Sequence, residues 1–469
     1  MKTRAKTFGA AQAAATLGVS VQTLARWFAD GKAKDVTRNA RGHRVFTNAD
    51  VERIRRERAA APRRARKLKR GKAPKFLAAD FFCGAGGTTR GLLDAGGYVI
   101  AGIDKDARCE RTYVANNRNT KGDRAAPAFL SRDIFPASKH HPGGQQRVLK
   151  KELEALIEKQ RKAYPSLPLF FAICAPCQPF TSLSKKEMSK RRVAVRKRDM
   201  NLLDEAAKFV SKFKPEVVLS ENVSGINDPK FGGVWQDFQE RLQRLGYVTG
   251  KDVVCASNFG IPQFRKRSIL MAVRKDVYLE HKRGAKIVVP TADPKARRRT
   301  VRGALSRLPP IGPGERHPTI VNHRTRGMSA LNRKRLRAAP PGMSNAYMTN
   351  TKSGDLSLGC HRRVNEKMKV RCFSDVYTRM HPDRPSPTIT TKCHSVSNGR
   401  FGHYDPKQVR GISLQEAAIL QSFRRDYVFY PTDQVEPVAR MIGNAVPPRL
   451  AEFFARRLIA SVRRRRAGA

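Results

Sequence analysis

Four short apolar runs, each ending on a polar or reactive residue, constrain the fold of this chain most. Phe76-Leu77-Ala78-Ala79 leads into Asp80-Phe81-Phe82-Cys83-Gly84-Ala85-Gly86-Gly87. Tyr98 to Ile103 ends at Asp104. Leu169 to Cys174 leads into Ala175-Pro176-Cys177-Gln178-Pro179-Phe180, and Pro215 to Ser220 leads into Glu221-Asn222-Val223. Short apolar runs of this kind read as buried strands. Helical patterns separate them, among them Leu202 to Phe213 and Val234 to Leu245, as parallel strands require. The predicted class is α/β, a doubly wound parallel sheet. Ligands bind such sheets beyond the carboxyl ends of the strands, which is where these polar residues fall.

Two of those strand ends carry chemistry. Cys177 is flanked by Pro176 and Pro179, so its backbone is rigid and its sulfur is presented, as a nucleophile requires. Glu221 is a carboxylate delivered in the same way. The small residues Gly84 to Gly87 let a backbone approach a ligand at a helix start. Their spacing is not GxGxxG, which disfavours a dinucleotide. Asp104 ends the second strand, where an acid binds ribose hydroxyls.

A chain of 469 residues is too long for one ordinary core, so two or three domains are expected. Lys and Arg number 94 against 39 Asp and Glu, a formal charge of +55. Such self-repulsion suits a polyanionic partner, and nucleic acid is the simplest. The 8 cysteines form no disulfide framework, no secretory signal precedes them, and no apolar run is long enough to span a bilayer. A reducing cytoplasm and no membrane contact are expected. Cys174 and Cys177 lack a second ligand pair at zinc spacing, so no metal site is expected, and Cys174 is expected to point into the sheet.

Residues 1–58 stand apart. Ala10 to Leu17 and Val21 to Ala29 read as helices joined by a Gly18-Val19-Ser20 turn, with Ser20 as N-cap. Arg41 to Phe46 reads as a short wing, and Thr47 to Asp50 caps a further helix. The segment resembles the winged helix-turn-helix of the MerR and excisionase type. That resemblance implies Gln22, Thr23 and Arg26 facing the major groove and Arg41 or Arg44 on phosphate. Residues 59–75, with Arg63 to Arg70, read as a basic linker.

Taken together and in order, DFFCGAGG, APCQPF, ENV, QFRKR (Gln263 to Arg267) and GNAVPP (Gly443 to Pro448) resemble the cytosine-carbon-5 methyltransferases, from Phe76 to the C-terminus. The resemblance implies a Rossmann-like sheet binding S-adenosylmethionine, with double-stranded DNA as substrate. It makes 76–275 the catalytic domain, 276–435 a smaller target-recognition domain organised by Arg384 to Thr390, and 436–469 a return to the catalytic domain through a helix from Val438 to Ile459 and a basic tail. It implies that Cys177 attacks carbon 6 of a flipped cytosine. Glu221, its neutral form favoured by burial, serves ring nitrogen 3; Arg267 meets the base carbonyl and Arg265 positions. Asn222 holds the loop. It places Phe82 on the adenine, Asp133 at the adenine amino group, Asn444 at the methionine part, and Lys185 to Arg198 in a loop closing over the base. Arg335 and Arg362 are the candidates for DNA contact in the recognition segment. Phe81, Ala175, Thr181 and Met441 depart from the family pattern, and Thr181 is shared with the related transfer-RNA enzymes. An RNA cytosine methyltransferase and a catalytically idle DNA-binding regulator are the competing readings. A bacterial or phage-borne, nucleoid-associated enzyme, monomeric on DNA, with a cognate restriction endonuclease as a candidate partner, completes the expectation.

Overall fold

The computed structural model describes residues 7–17, 21–29, 36–60, 73–120, 124–139, 141–176, 201–229, 233–279, 286–368 and 373–463. The chain divides into two compact units, Met1–Gly71 with Arg316–Val321, and Lys72–Glu315 with Asn322–Ala469. No described helix is long and apolar enough to cross a membrane.

The first unit holds strand β1 (Phe8–Gly9), helices α1 (Ala10–Leu17) and α2 (Val21–Ala29), strand β2 (Val45–Phe46) and helix α3 (Asn48–Ala60). The strands pair antiparallel, and Arg38 and Arg44 form a further antiparallel bridge around the turn where the Arg41 to Phe46 wing is expected. Ala13, Ala14, Leu17, Leu24, Phe46, Val51 and Ile54 form its core. Thr47 and Asp50 cap α3 reciprocally: Asp50 N–H donates to Thr47 Oγ1 at 3.2 Å and Thr47 N–H to Asp50 Oδ2 at 2.9 Å. The turn Gly18 to Ser20, with its Ser20 cap, lies outside the described residues.

The second unit is built on a 7-stranded sheet. Its strands are β3 (Leu77–Phe81), β4 (Tyr98–Asp104), β5 (Ala128–Ser131), β6 (Leu169–Ile173), β7 (Val217–Val223), β8 (Tyr247–Cys255) and β9 (Lys266–Arg274). The order is β5-β4-β3-β6-β7-β9-β8. The first five pair in parallel, and β9 runs antiparallel between β7 and β8. The sheet is therefore mixed, because β8 and β9 form a hairpin that a chain can close without a crossover helix. Alternate residues of β3 enter opposite cores, Leu77, Ala79 and Phe81 on one face and Phe76 and Ala78 on the other. Both faces are covered, which explains strands apolar throughout rather than alternating. The strand order reverses between β3 and β6, leaving a crevice at their carboxyl ends.

Leu202–Phe213 is a helix, as its pattern predicts, and Val234–Arg244 is a helix one residue shorter than expected. The single helix expected from Val438 to Ile459 is two, Val435–Asn444 and Pro448–Ala460. Pro447 and Pro448 lack the N–H groups that a continuous helix needs, and proline instead starts the second one. From residue 286 to 435 the chain forms short helices, Val301–Leu305, Ala330–Ala338, Gly359–Met368 and Leu414–Leu420, with no strand among the described residues. A small core of Leu336, Met348, Leu356, Val376, Tyr377 and Val396 lies within it.

Candidate active site

The ends of β3, β4, β6 and β7 surround one cavity of about 340 Å3, within the range of small-molecule sites. Phe82, Gly84, Gly87, Asp104 and Asn444 line one part of it, and Glu221, Arg265 and Arg267 line another. Cys174, Ala175 and Pro176 also reach it. Cys177 is the next residue and lies outside the described residues, as does Lys185 to Arg198.

The loop after β3 is sharply bent. Phe82, Gly84 and Gly86 all have left-handed φ, 60°, 49° and 88°, a region that costs a non-glycine residue energy. Gly86 begins the following helix (Gly87–Asp94), and a Cβ there would lie 2.3 Å from Asn117 Nδ2. A Cβ on Gly84 would meet nothing within 4 Å, so the backbone there is open to a ligand. Gly84 N–H donates to Asp104 Oδ2 at 2.9 Å and Asp106 N–H to Oδ1 at 2.8 Å. Each oxygen keeps a lone pair for a hydroxyl donor. Burial pushes the Asp104 pKa up against those two bonds. A small-residue cradle beside a ribose-type acid, walled by an aromatic ring, fits the adenosine part of S-adenosylmethionine.

At the other part, Arg267 Nε sits 2.8 Å from Glu221 Oε1, with both side chains largely buried. The ion pair follows from strand register, since Val223 lies opposite Arg267 across β7 and β9. Arg265 is 3% exposed, and its guanidinium donates to the carbonyls of Ile389, Gly443 and Ala445. It thus fastens the segment after Arg384 to the one carrying Asn444. Asn222 donates to Ala175 O at 3.2 Å, tying the ENV segment to the strand end before Cys177.

Other expected residues fall elsewhere. Asp133 accepts from Phe135 N–H and meets His141 Nε2 at 3.0 Å, away from the cavity lining. Cys174 was expected inside the sheet; it lines the cavity instead, with Thr88 Oγ1 4.0 Å from its sulfur, because it lies one residue past the end of β6. Burial pushes its thiol pKa well up, so it stays a neutral thiol. Arg335, expected on DNA, is 7% exposed; it donates to Leu356 O and Asn332 Oδ1 and lies over the Tyr377 ring. Its guanidinium is spent inside the small core and is not presented to a partner. Arg362 is exposed, with its guanidinium meeting Asp355 and Ser357. In the N-terminal unit Gln22 and Arg41 are exposed, and Arg44 lies over the Phe28 ring at 4.4 Å. The side chains of Thr23 and Arg26 lie outside the described residues.

Sequence reasoning missed Asp106, Arg108 and Arg440 on the cavity wall. Asp106 and Arg108 immediately follow the Asp104 strand end, which was a usable signal. For Arg440 only the folding-back of the C-terminal helices brings it there.

The model of the C-5 cytosine-specific DNA methylases matches residues 146–460, and that of the MerR HTH family regulatory proteins matches residues 10–60. Type II methylase M.HgiDII of Herpetosiphon aurantiacus is 32% identical over 379 residues, 80% of this chain and 93% of the relative. Type II methyltransferase M1.HphI of Haemophilus parahaemolyticus is 27% identical over 380 residues, 80% and 84% of the two chains. A solved structure, a putative DNA modification methyltransferase encoded within a prophage (E. coli), has a TM-score of 0.56 at 19% identity, covering 82% of this chain and 99% of its own; it shares the fold. With a glycine-rich loop and the Glu221–Arg267 pair in one cavity of that fold, this chain belongs to the C-5 cytosine-specific DNA methylases, enzymes that depend on S-adenosylmethionine.

Proposed function

We propose that this protein methylates carbon 5 of a cytosine flipped out of a specific double-stranded DNA sequence, through a covalent cysteine adduct. The observation that carries the reading is the single cavity shared by the glycine cradle and the Glu221–Arg267 pair. Bound S-adenosylmethionine supplies an electrophilic methyl group. Cytosine carbon 5 is a poor nucleophile, so the Cys177 thiolate adds to carbon 6 and makes carbon 5 an enamine carbon. Glu221, parted from Arg267 as the base enters and protonated from solvent, supplies the proton or hydrogen bond at ring nitrogen 3. Arg267 holds the base carbonyl, and Arg265 keeps the surrounding loops in place. After transfer, solvent takes the carbon-5 proton, Cys177 leaves as the thiolate, and ring nitrogen 3 returns its proton to Glu221. A base within a duplex cannot present carbon 6, which is why flipping is part of the reading.

On the same reading, residues 76–275 and 436–469 carry the chemistry and 276–435 choose the target sequence. Residues 1–58 add a DNA contact through Gln22, Arg41 and Arg44. The type II names of the relatives support a restriction–modification setting, with a cognate endonuclease as partner.

The test is Cys177→Ser, assayed with labelled S-adenosylmethionine on duplex DNA, single-stranded DNA and transfer RNA. The parent is expected to label duplex DNA and to be trapped covalently by 5-fluorocytosine duplex; the variant does neither. Methylation by the variant, or labelling of transfer RNA alone, would overturn the proposal.

A further inference from the structure

The cofactor loop is held from behind by a residue that neither the chemistry nor the family motifs singled out. Tyr427 is 3% exposed. Its hydroxyl donates to the carbonyl of Ala85, at 2.5 Å, and accepts from Asn117 Nδ2 at 3.2 Å. Ala85 lies between Gly84, whose N–H binds Asp104, and Gly86, which starts the helix. The Tyr427–Asn117 pair packs so closely on the loop that a Cβ on Gly86 would lie 2.3 Å from Asn117 Nδ2 and 3.0 Å from the Tyr427 hydroxyl.

The support on which Tyr427 stands is itself pinned from two sides. Asn116 clasps Val428, donating to its carbonyl at 2.7 Å and accepting from its N–H at 2.8 Å. Asn322 does the same to Phe429, at 2.9 and 2.8 Å. The Tyr427 ring packs on Phe423 and Phe429, with centroids 4.7 and 5.2 Å apart. The hydroxyl is therefore presented at a fixed place, 342 residues along the chain from the carbonyl that it holds.

We infer that Tyr427, oriented by Asn117, is a positioning residue for S-adenosylmethionine, holding the Gly84–Gly87 loop in its binding conformation. The inference rests on the cofactor reading of the cavity. The physical reason is population. Phe82, Gly84 and Gly86 have φ values of 60°, 49° and 88°, which a free loop would leave for other conformations. A ligand that needs the bent form binds more weakly by the fraction of time the loop is bent. The hydroxyl fixes the middle of that bend.

Tyr427→Phe keeps the ring and removes only the hydroxyl. Calorimetric titration is expected to show S-adenosylmethionine bound about three- to tenfold more weakly, the span of one lost hydrogen bond. Amide hydrogen exchange at Gly84 to Gly87 should quicken in the ligand-free protein. The KM for S-adenosylmethionine should rise while turnover at saturating cofactor is retained. Asn117→Ala is the second variant, expected to weaken binding in the same direction. Tyr247→Phe is the structural control, since it removes another buried tyrosine bond, from its hydroxyl to Pro215 O, at the opposite end of the sheet. It should lower the melting temperature without changing cofactor affinity. Asp104→Ala separates the two possible failures. If Asp104→Ala weakens binding and Tyr427→Phe leaves both affinity and exchange unaltered, the positioning role is overturned. If Asp104→Ala also leaves affinity unaltered, the cofactor reading of the cavity fails.

Discussion

Asp80, on the strand that leads into the Gly84–Gly87 loop, is fully buried, and its Oδ2 accepts the Thr89 hydroxyl at 2.6 Å. Burial pushes its pKa from 3.8 up to about 7, outweighing the Thr89 bonds, and the neighbouring Asp104 adds to the rise. The folded protein thus keeps a proton there that the unfolded chain has already released. The stability carried by that proton is complete below pH 3.8 and is lost as pH rises through about 7. Asp80→Asn removes the ionisation. Its melting temperature relative to the parent is expected to climb between pH 4 and pH 7, the span bounded by those two pKa values, and to level off above it. Parallel curves for the two proteins would show that Asp80 does not titrate in this range. Single arginines behave as variously as this aspartate. Arg379 is completely buried, with its guanidinium on the carbonyls of Leu336, His403, Asp405, Pro406 and Gln408. Burial brings its pKa down to about 10. A formal charge of +55 therefore does not mean that every arginine is offered to a polyanion.

At the scale of elements, the break between Val435–Asn444 and Pro448–Ala460 shapes the cavity, because Asn444, Ala445 and Val446 line it at that break. Gly443 makes the arrangement possible. A Cβ there would lie 2.3 Å from the backbone of Thr390 and Thr391, so even alanine must push the two segments apart. Gly443→Ala is expected to cost about 1–3 kcal/mol of stability, as overpacking does. It should also weaken cofactor binding by moving Asn444. Denaturant unfolding and calorimetric titration check the two effects separately. Parent-like values in both would mean that the contact with Thr390 is easily relaxed.

For the whole molecule, the residues proposed to do the chemistry all lie beyond residue 75, whereas Met1–Gly71 fall, with Arg316–Val321, in a unit that has its own core. Deleting Met1 to Ala60 is expected to leave the methylated sequence unaltered. DNA affinity at physiological salt should fall, and its dependence on salt should become shallower, because the phosphate contacts expected of Arg41 and Arg44 are removed. Binding measured across a salt series, with sequencing of the methylated sites, checks both. An insoluble truncated protein, or one that methylates a different sequence, would contradict an independent tethering role.

The sequence by itself determined the local parts. Apolar runs bounded by polar residues were long enough to identify β3, β4, β6 and β7, and strand polarity then sent Phe82, Asp104 and Glu221 to one side of the sheet. The helices Ala10–Leu17, Val21–Ala29 and Leu202–Phe213 followed from periodicity, which depends only on neighbours in the chain. Tertiary structure decided what depends on residues far apart. The Glu221–Arg267 pair exists because β9 enters antiparallel beside β7, an insertion that no local pattern announces. Arg335 turned inward because Leu356 and Tyr377 close around it. Cys174 faces the cavity because β6 ends one residue before it. The bond from Tyr427 to the Gly84–Gly87 loop was invisible for the same reason: a lone tyrosine has no sequence pattern, and only the folded chain brings its hydroxyl to Ala85.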